Sequence, residues 1–196
     1  MKKISLLFVI VLFGTLSTAF AQSISVSGQF GWAIPQGDAF KPEGGEPSAK
    51  GGLAYDLDAL YFLPNFDNKL GVGVNYKGDL LFGLGEVSGL YSLQLYAAKG
   101  YYKFFTSKVT PYAALSLGLS QFGTPDYTYS VGGDEPILVK GVRKSSFGIA
   151  PEIGVQFGSF FIAANYLVPM KYKFEGVSTS AGALAISIGY RYNLDI

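Results

Sequence analysis

The last residues of the chain, 183–196 (ALAISIGYRYNLDI), alternate strictly between two kinds of side chain. Even positions from Leu184 to Ile196 are bulky and apolar or aromatic, whereas odd positions are small or polar and include Arg191. Successive side chains leave opposite faces of a β-strand, so the pattern predicts a strand with one apolar and one polar face. An inward apolar face would make the protein soluble, and an outward one would require lipid around it.

The same alternation recurs along the chain and predicts eight strands in all. They cover approximately residues 24–34, 53–63, 70–77, 90–105, 113–120, 147–157, 160–170 and 183–196. The connections alternate in length: 64–68, 106–107 and 158–159 are short, whereas 35–49, 81–88, 123–144 and 175–180 are longer. Short turns at one end and long loops at the other are typical of bacterial outer-membrane barrels. We therefore expect an all-β fold, an eight-stranded antiparallel up-and-down transmembrane β-barrel.

Three prolines, Pro111, Pro151 and Pro169, lie inside predicted strands. Proline has no backbone N–H to donate to a neighbouring strand. We expect these positions to be bulges or strand ends.

The size of an eight-stranded barrel decides which face is inside, because its interior is only wide enough for side chains to fill. The small and polar set fits there and the bulky set does not. We therefore expect every bulky set to face lipid, including Tyr91, Leu93 and Leu95 in the fourth strand and Met170 in the seventh. Aromatic residues near strand ends predict girdles at the membrane interfaces: Trp32, Tyr55, Tyr61, Tyr76, Tyr91, Tyr101, Tyr172, Tyr190 and Tyr192.

The N-terminus has the layout of a secretory signal peptide. Lys2 and Lys3 precede an apolar run that ends near Leu16, and Ala19-Phe20-Ala21 forms an A-x-A cleavage site. A membrane-anchoring helix needs roughly 20 apolar residues, and this run is shorter. We expect residues 1–21 to be removed and residues 22–196 to form the barrel domain.

The chain resembles the small outer-membrane β-barrels of the OmpA/OmpX type, especially the stand-alone barrel domains of Bacteroidetes-like bacteria. The resemblance covers the mature chain and rests on the AFAQ signal ending, the strand-and-loop plan and the terminal strand. It implies localisation in the cell outer membrane, with membrane lipid and lipopolysaccharide as surroundings. It also implies recognition of the C-terminal strand by the barrel assembly machinery, although that signal usually ends in Phe and this chain ends in Ile196.

The composition limits the chemistry. The chain contains no His and no Cys, so the usual catalytic triads, Cys nucleophiles and His-based metal sites are absent. We expect no enzyme activity and no cofactor. Asp126, Asp134 and Glu135 lack the spacing of an EF-hand, so no metal site is expected. Lys and Arg form no sequence cluster of the kind that binds nucleic acid.

Charged residues on the inward face are the most specific feature. The expected lumen charge network comprises Asp56, Asp58, Lys77, Glu152 and Arg191, with Lys99 and Lys171 as candidate additions. Buried charges persist when they are paired, so we expect Glu152 and Arg191 to belong to a network that bridges the lumen. Lys99 and Lys103 alternatively approach the periplasmic rim. The network either plugs the barrel or selects small solutes in a gated conduit.

The connection 123–144 is long enough to form its own hairpin, with Gly132-Gly133 as the turn. Tyr127 and Tyr129 would be exposed there as contacts for an extracellular ligand. The alternative is a solvated loop without a protein partner. The leading functional hypothesis is a structural or surface-interaction protein with a plugged polar lumen and four outer loops. The alternatives are a narrow conduit for small solutes or hydrophobic compounds, and a secreted lipocalin-like binder with the opposite facing.

Overall fold

A computed structural model describes residues 23–41, 49–83, 89–129, 137–174 and 177–195. Its strands are β1 (Ser23–Gln36), β2 (Ala49–Phe62), β3 (Leu70–Gly83), β4 (Leu90–Lys103), β5 (Val109–Gly123), β6 (Tyr127–Tyr129), β7 (Ile137–Val139), β8 (Arg143–Phe157), β9 (Phe160–Phe174) and β10 (Val177–Asp195). Short 3-10 turns lie at Asp38–Phe40 and Pro64–Phe66.

Eight of the strands form a closed antiparallel barrel in the order β1-β10-β9-β8-β5-β4-β3-β2. The first and last strands close it, and their register runs from Ser23 opposite Asp195 to Gln36 opposite Gly182. The predicted eight-stranded up-and-down barrel is confirmed. Within the described ranges, no helix is long and apolar enough to cross a membrane.

Connection lengths alternate mostly as the sequence predicts. Short connections follow β2, β4 and β8 at one end of the barrel, which we call the short-turn end; the opposite end is the loop end. The predicted connection 175–180 is wrong, because β9 continues to Phe174 and β10 starts at Val177. Pairing of Ser178 with Lys173 extends this hairpin beyond the expected strand ends.

The predicted hairpin in the longest connection is present as β6 and β7. Tyr127 pairs with Val139 and Tyr129 pairs with Ile137. The expected turn at 132–133 lies outside the described residues.

Most strands turn their bulky side chains outward, as expected. Phe30 is 71% exposed, Ile188 is 68% exposed and Ile153 is 66% exposed. Such a belt of apolar side chains is stable in contact with lipid, and a closed barrel pairs its backbone groups within the bilayer. The inverted facing that the lipocalin-like alternative requires is not the facing of this barrel.

The predicted facing of β4 is wrong. Tyr91, Leu93 and Leu95 are buried in the lumen, whereas Tyr96 and Tyr102 are exposed. Both faces of this strand carry bulky residues, so hydrophobic alternation alone does not choose between them. Lys99 decides the outcome, because it shares the face of Leu95 and needs the acidic partners that lie inside.

A β-bulge changes the facing along β9. The register against β10 shifts between Ala181 and Ala183, where Val168 and Pro169 oppose the single residue Gly182. One extra residue exchanges the two faces of a strand. The predictions that Met170 faces lipid and that Lys171 joins the lumen charges are therefore wrong. Met170 packs against the interior cluster, and Lys171 is exposed.

The bulge also accounts for part of the proline prediction. Pro169 occupies the bulge, and the β8–β9 ladder runs from Glu152 to Phe157 and so begins directly after Pro151. Pro111 is the third residue of β5, near its start. The three prolines, which lack a backbone N–H donor, thus lie at a bulge, at the end of a ladder or near the start of a strand.

Three residues expected in the interfacial girdles, Tyr91, Tyr101 and Tyr172, are buried inside the barrel instead. The lumen is therefore more aromatic than an alternation of small and polar residues suggests. Glycine provides the room: a Cβ at Gly154 would overlap the ring of Tyr112, and one at Gly189 would overlap the ring of Phe161.

The charged lumen as candidate functional site

Lys99 occupies the centre of the lumen. Its Nζ donates to Asp58 Oδ2 at 2.9 Å and to Glu152 Oε2 at 3.1 Å. The three side chains come from β4, β2 and β8, which lie on different sides of the barrel. All three are nearly inaccessible to solvent. The ion pairs therefore tie the wall together across the interior.

Arg191 extends this group toward the short-turn end. Its Nη2 lies 3.7 Å from Asp58 Oδ2, and its Nη1 donates to Gln156 Oε1 at 3.2 Å. The guanidinium carbon lies 4.3 Å from the ring centroid of Tyr101 and 5.1 Å from that of Phe161. Desolvated arginine gains from such aromatic faces as well as from its carboxylate. We refer to Asp58, Lys99, Glu152 and Arg191 as the central charge layer.

Neutral side chains of β1 and β10 complete the central charge layer. Ser27 Oγ donates to Asp58 Oδ1 at 2.6 Å, and Gln29 Nε2 donates to Glu152 Oε2 at 3.3 Å. Gln29 in turn accepts from Ser187 Oγ. Buried carboxylates need several donors because each lost water contact is costly. The layer thus has partners from most of the barrel circumference.

Two other predicted charges lie in the lumen but outside the central charge layer. Lys77 Nζ donates to Asp79 Oδ1 at 2.9 Å, and both residues are buried. Asp56 Oδ1 accepts from Asn75 Nδ2 at 2.6 Å. Asp79 is not among the predicted lumen charges, because the predicted third strand ended too early. Continuing the alternation of Asn75 and Lys77 by one step would have found it.

The two alternatives for lysine placement have different outcomes. Lys99 lies in the central charge layer and not at the rim. Lys103 is the last residue of β4 at the short-turn end, with its Nζ 4.0 Å from the ring centroid of Phe62. Glu152 and Arg191 join one cluster, linked through Asp58 and Lys99.

Apolar side chains close the lumen on both sides of the central charge layer. A cluster on the short-turn side contains Leu60, Phe62, Tyr101, Tyr112, Ala114, Phe161 and Ala163. A larger cluster on the loop side includes Leu81, Leu93, Leu95, Phe122, Leu167 and Tyr172. The central charge layer therefore lies between two packed apolar clusters.

Phe40 covers the loop-side cluster on the side nearest the loop end. It belongs to the 3-10 turn Asp38–Phe40 after β1, yet only 2% of it is exposed. Its ring meets Tyr91 and Phe122 edge-on, at centroid distances of 5.6 and 5.8 Å. Ser180 of β10 holds the turn, donating to Asp38 Oδ2 at 2.7 Å and accepting from the Asp38 N–H. Sequence periodicity gave no sign of this residue, since it lies outside any strand.

The loop residues form a separate candidate. Tyr127 and Tyr129 lie on β6, and their side chains are outside the described part of the structure. Asp126 Oδ1 accepts from the Gly141 N–H at 2.5 Å, which fixes the base of the hairpin. Asp134 and Glu135 are not among the described residues. In the described part of the chain, no group of three or more His, Cys, Asp or Glu residues is arranged to hold a metal ion.

Comparison with solved structures identifies the fold. A neisserial surface protein, NspA, is 18% identical, with 86% of this chain and 97% of that chain covered and a TM-score of 0.53. Ail of Yersinia pestis is 19% identical, with 88% and 100% covered and a TM-score of 0.49. OprG of Pseudomonas aeruginosa is 14% identical, with 88% and 96% covered and a TM-score of 0.48. No family model and no curated protein matches the chain.

The similarity to NspA confirms the resemblance to small outer-membrane barrels at the level of fold. The chain is an eight-stranded β-barrel of the outer-membrane type.

Proposed function

We propose that this protein is an integral outer-membrane protein in which the barrel is a closed scaffold and the surface role belongs to the connections at the loop end. The observation that carries the proposal is the layered closure of the lumen. The central charge layer lies between two packed apolar clusters, and Phe40 covers the outer one. A path for solutes would have to break buried ion pairs and displace packed aromatic rings.

The orientation follows from the same proposal. The loop end faces the outside of the cell. The start of β1 and the end of β10 lie at the periplasmic side, as in barrels with short periplasmic turns. Residues 1–21 act as the export signal and residues 22–196 as the mature barrel. Mass spectrometry of the protein from outer-membrane fractions is expected to give a chain that begins at Gln22. The C-terminal strand would be the contact for the assembly machinery, in spite of its terminal Ile196.

The role that remains for the exposed connections is binding or shielding. The β6–β7 hairpin is the largest of them, and Tyr127 and Tyr129 are its proposed contacts for an extracellular ligand. We assign no catalytic role to the lumen, since general acid–base chemistry usually relies on His and the sequence has none.

Single-channel recording separates the closed scaffold from the conduit. The mature protein, 22–196, is refolded into planar bilayers, with Glu152→Gln and Arg191→Gln as variants. A closed scaffold gives no discrete current for the wild-type protein, and the variants are destabilised. Discrete wild-type conductance that either variant changes would instead make the central charge layer a selectivity element and overturn the proposal.

A second experiment tests where the surface role lies. Residues 127–139 are replaced by Gly-Gly, and folding is followed by the mobility shift of unheated protein in gels. We expect an intact barrel, because β6 and β7 pair only with each other in the described structure. A variant that fails to fold would place the hairpin in the scaffold and contradict its assignment as an independent surface element.

A further inference from the structure

The barrel wall is not uniformly hydrogen-bonded. The β5–β8 ladder covers all of Arg143–Phe157, whereas the β8–β9 ladder covers only Glu152–Phe157. Between Pro151 and the loop end, residues 143–150 of β8 and 166–174 of β9 are neighbours, but no β-ladder pairs them. We refer to this region as the upper seam. It lies at the loop end of the barrel.

Side chains close the upper seam on its inner side. Ala150, Leu167 and Tyr172 are buried in the loop-side cluster. Tyr172 reaches past β8 and its OH lies 2.7 Å from Ser120 Oγ on β5. The lumen therefore stays sealed although the backbone ladder is interrupted.

On the lipid-facing side, the part of the upper seam that lies farther from the loop end is apolar. Phe147 is 60% exposed, and Ile149, Tyr166 and Val168 are partly exposed. This surface continues the belt that faces lipid, so acyl chains are its natural neighbours.

The upper part of the seam is cationic. Lys171 and Lys173 are exposed on the outer face of β9, whereas Lys144 of β8 shares the inward face of Gly148 and Ala150 and pairs with the buried Phe122. Among the described residues, neither Lys171 nor Lys173 has an acidic partner within ion-pair distance. Arg143 leans over Gly123 instead, away from β9.

We propose that the upper seam is a binding site for one phosphorylated lipid of the outer leaflet. Lys171 and Lys173 contact the phosphate groups, and the acyl chains cover Phe147, Ile149, Tyr166 and Val168. Charge complementarity selects an anion, because the like charges of the lysines repel one another until an anion lies between them. The adjoining apolar surface selects an anion that carries acyl chains, which a soluble polyanion lacks.

The site rests on the proposed placement of the loop end in the outer leaflet. Its test in detergent does not depend on conductance, so a conducting lumen would overturn the closed scaffold without affecting this result. The probe is lipid A with two phosphates, and native mass spectrometry counts the lipids retained by the refolded mature protein. We expect one tightly bound lipid per chain.

The variant Lys171→Ser/Lys173→Ser is expected to weaken binding about tenfold or more. Its matched control is Lys69→Ser/Lys108→Ser, which removes the same charge at the short-turn end and should leave binding unchanged. Both variants are checked for folding by gel mobility. Arg143→Ser is a second control, since its side chain leans away from the seam.

Four outcomes would overturn the proposal. Equal weakening by both double variants would mean a general effect of net charge. Equal binding of lipid A without phosphates would remove the role of the lysines. Equal binding of inorganic phosphate or of a soluble polysulfated sugar would make the site one for soluble anions. Failure to retain lipid A would show that the seam has no specific occupant.

Discussion

The central charge layer and the upper seam differ in how their charged side chains are paired. In the layer, Lys99 lies within 3.1 Å of two carboxylates, and Arg191 has both a carboxylate and an aromatic face. In the seam, Lys171 and Lys173 have no acidic partner among the described residues. A buried charge must be neutralised by the chain itself, because leaving it unpaired costs several kcal/mol. An exposed charge carries no such requirement and is available to a ligand.

The two regions should differ most in how much stability the barrel loses when one lysine is removed from each. Lys99→Met leaves Asp58 and Glu152 buried without their shared cation and should destabilise the barrel by about 3–5 kcal/mol. Lys171→Met removes an exposed charge and should change the stability by less than about 0.5 kcal/mol. Urea titrations of both variants in lipid vesicles measure the contrast. Equal losses of stability would show that the central charge layer contributes no more to the stability of the barrel than the exposed rim does.

The contrast also depends on the wall that separates the layer from lipid. Leu117 lies on the outward face of β5 and is 41% exposed. Leu117→Arg should cost roughly 2–4 kcal/mol if this position lies near the bilayer midplane. Ser145→Arg, near the loop end of the exposed face of β8, is the matched control and should be close to neutral. A refolding titration that shows no loss for Leu117→Arg would contradict the facing of β5.

A smaller effect is expected where the upper seam meets the lumen. Tyr172→Phe removes the hydrogen bond between Tyr172 and Ser120 and should cost about 1 kcal/mol. Adding Ser120→Ala should cost little more, because both partners are then removed. Urea titration of the single and double variants measures this coupling. Additive losses would mean that the bond does not hold the inner side of the seam.

The sequence predicts the barrel well where the two faces of a strand differ strongly. In β5, Leu115, Leu117 and Leu119 alternate with Ser116 and Gly118, and the observed facing agrees. In β4 both faces are bulky, so alternation leaves two solutions and the ion pairs of Lys99 choose between them. Those ion pairs involve β2 and β8, which local sequence does not bring together.

Other errors have equally specific physical causes. The bulge at Val168–Pro169 exchanges the faces of β9, and a single proline signals an irregularity without giving its direction. Phe40 enters the lumen from a connection, where no periodicity exists to predict its position. Of the predicted lumen charges, Asp58, Glu152 and Arg191 meet in one cluster. Asp56 and Lys77 lie in the same lumen with other partners.

The absence of native cysteine permits a direct test of the closed lumen. Ser116 is 3% exposed and lies inside the barrel, whereas Ser145 is exposed near the loop end. Ser116→Cys and Ser145→Cys are refolded separately into lipid vesicles and treated with a small charged methanethiosulfonate. A closed lumen predicts rapid labelling of Ser145→Cys, and labelling of Ser116→Cys only after unfolding in urea. Comparable labelling rates in the folded proteins would contradict the closed lumen, because Ser116 lies opposite Lys99 and its labelling requires a water path through one of the apolar clusters to the central charge layer.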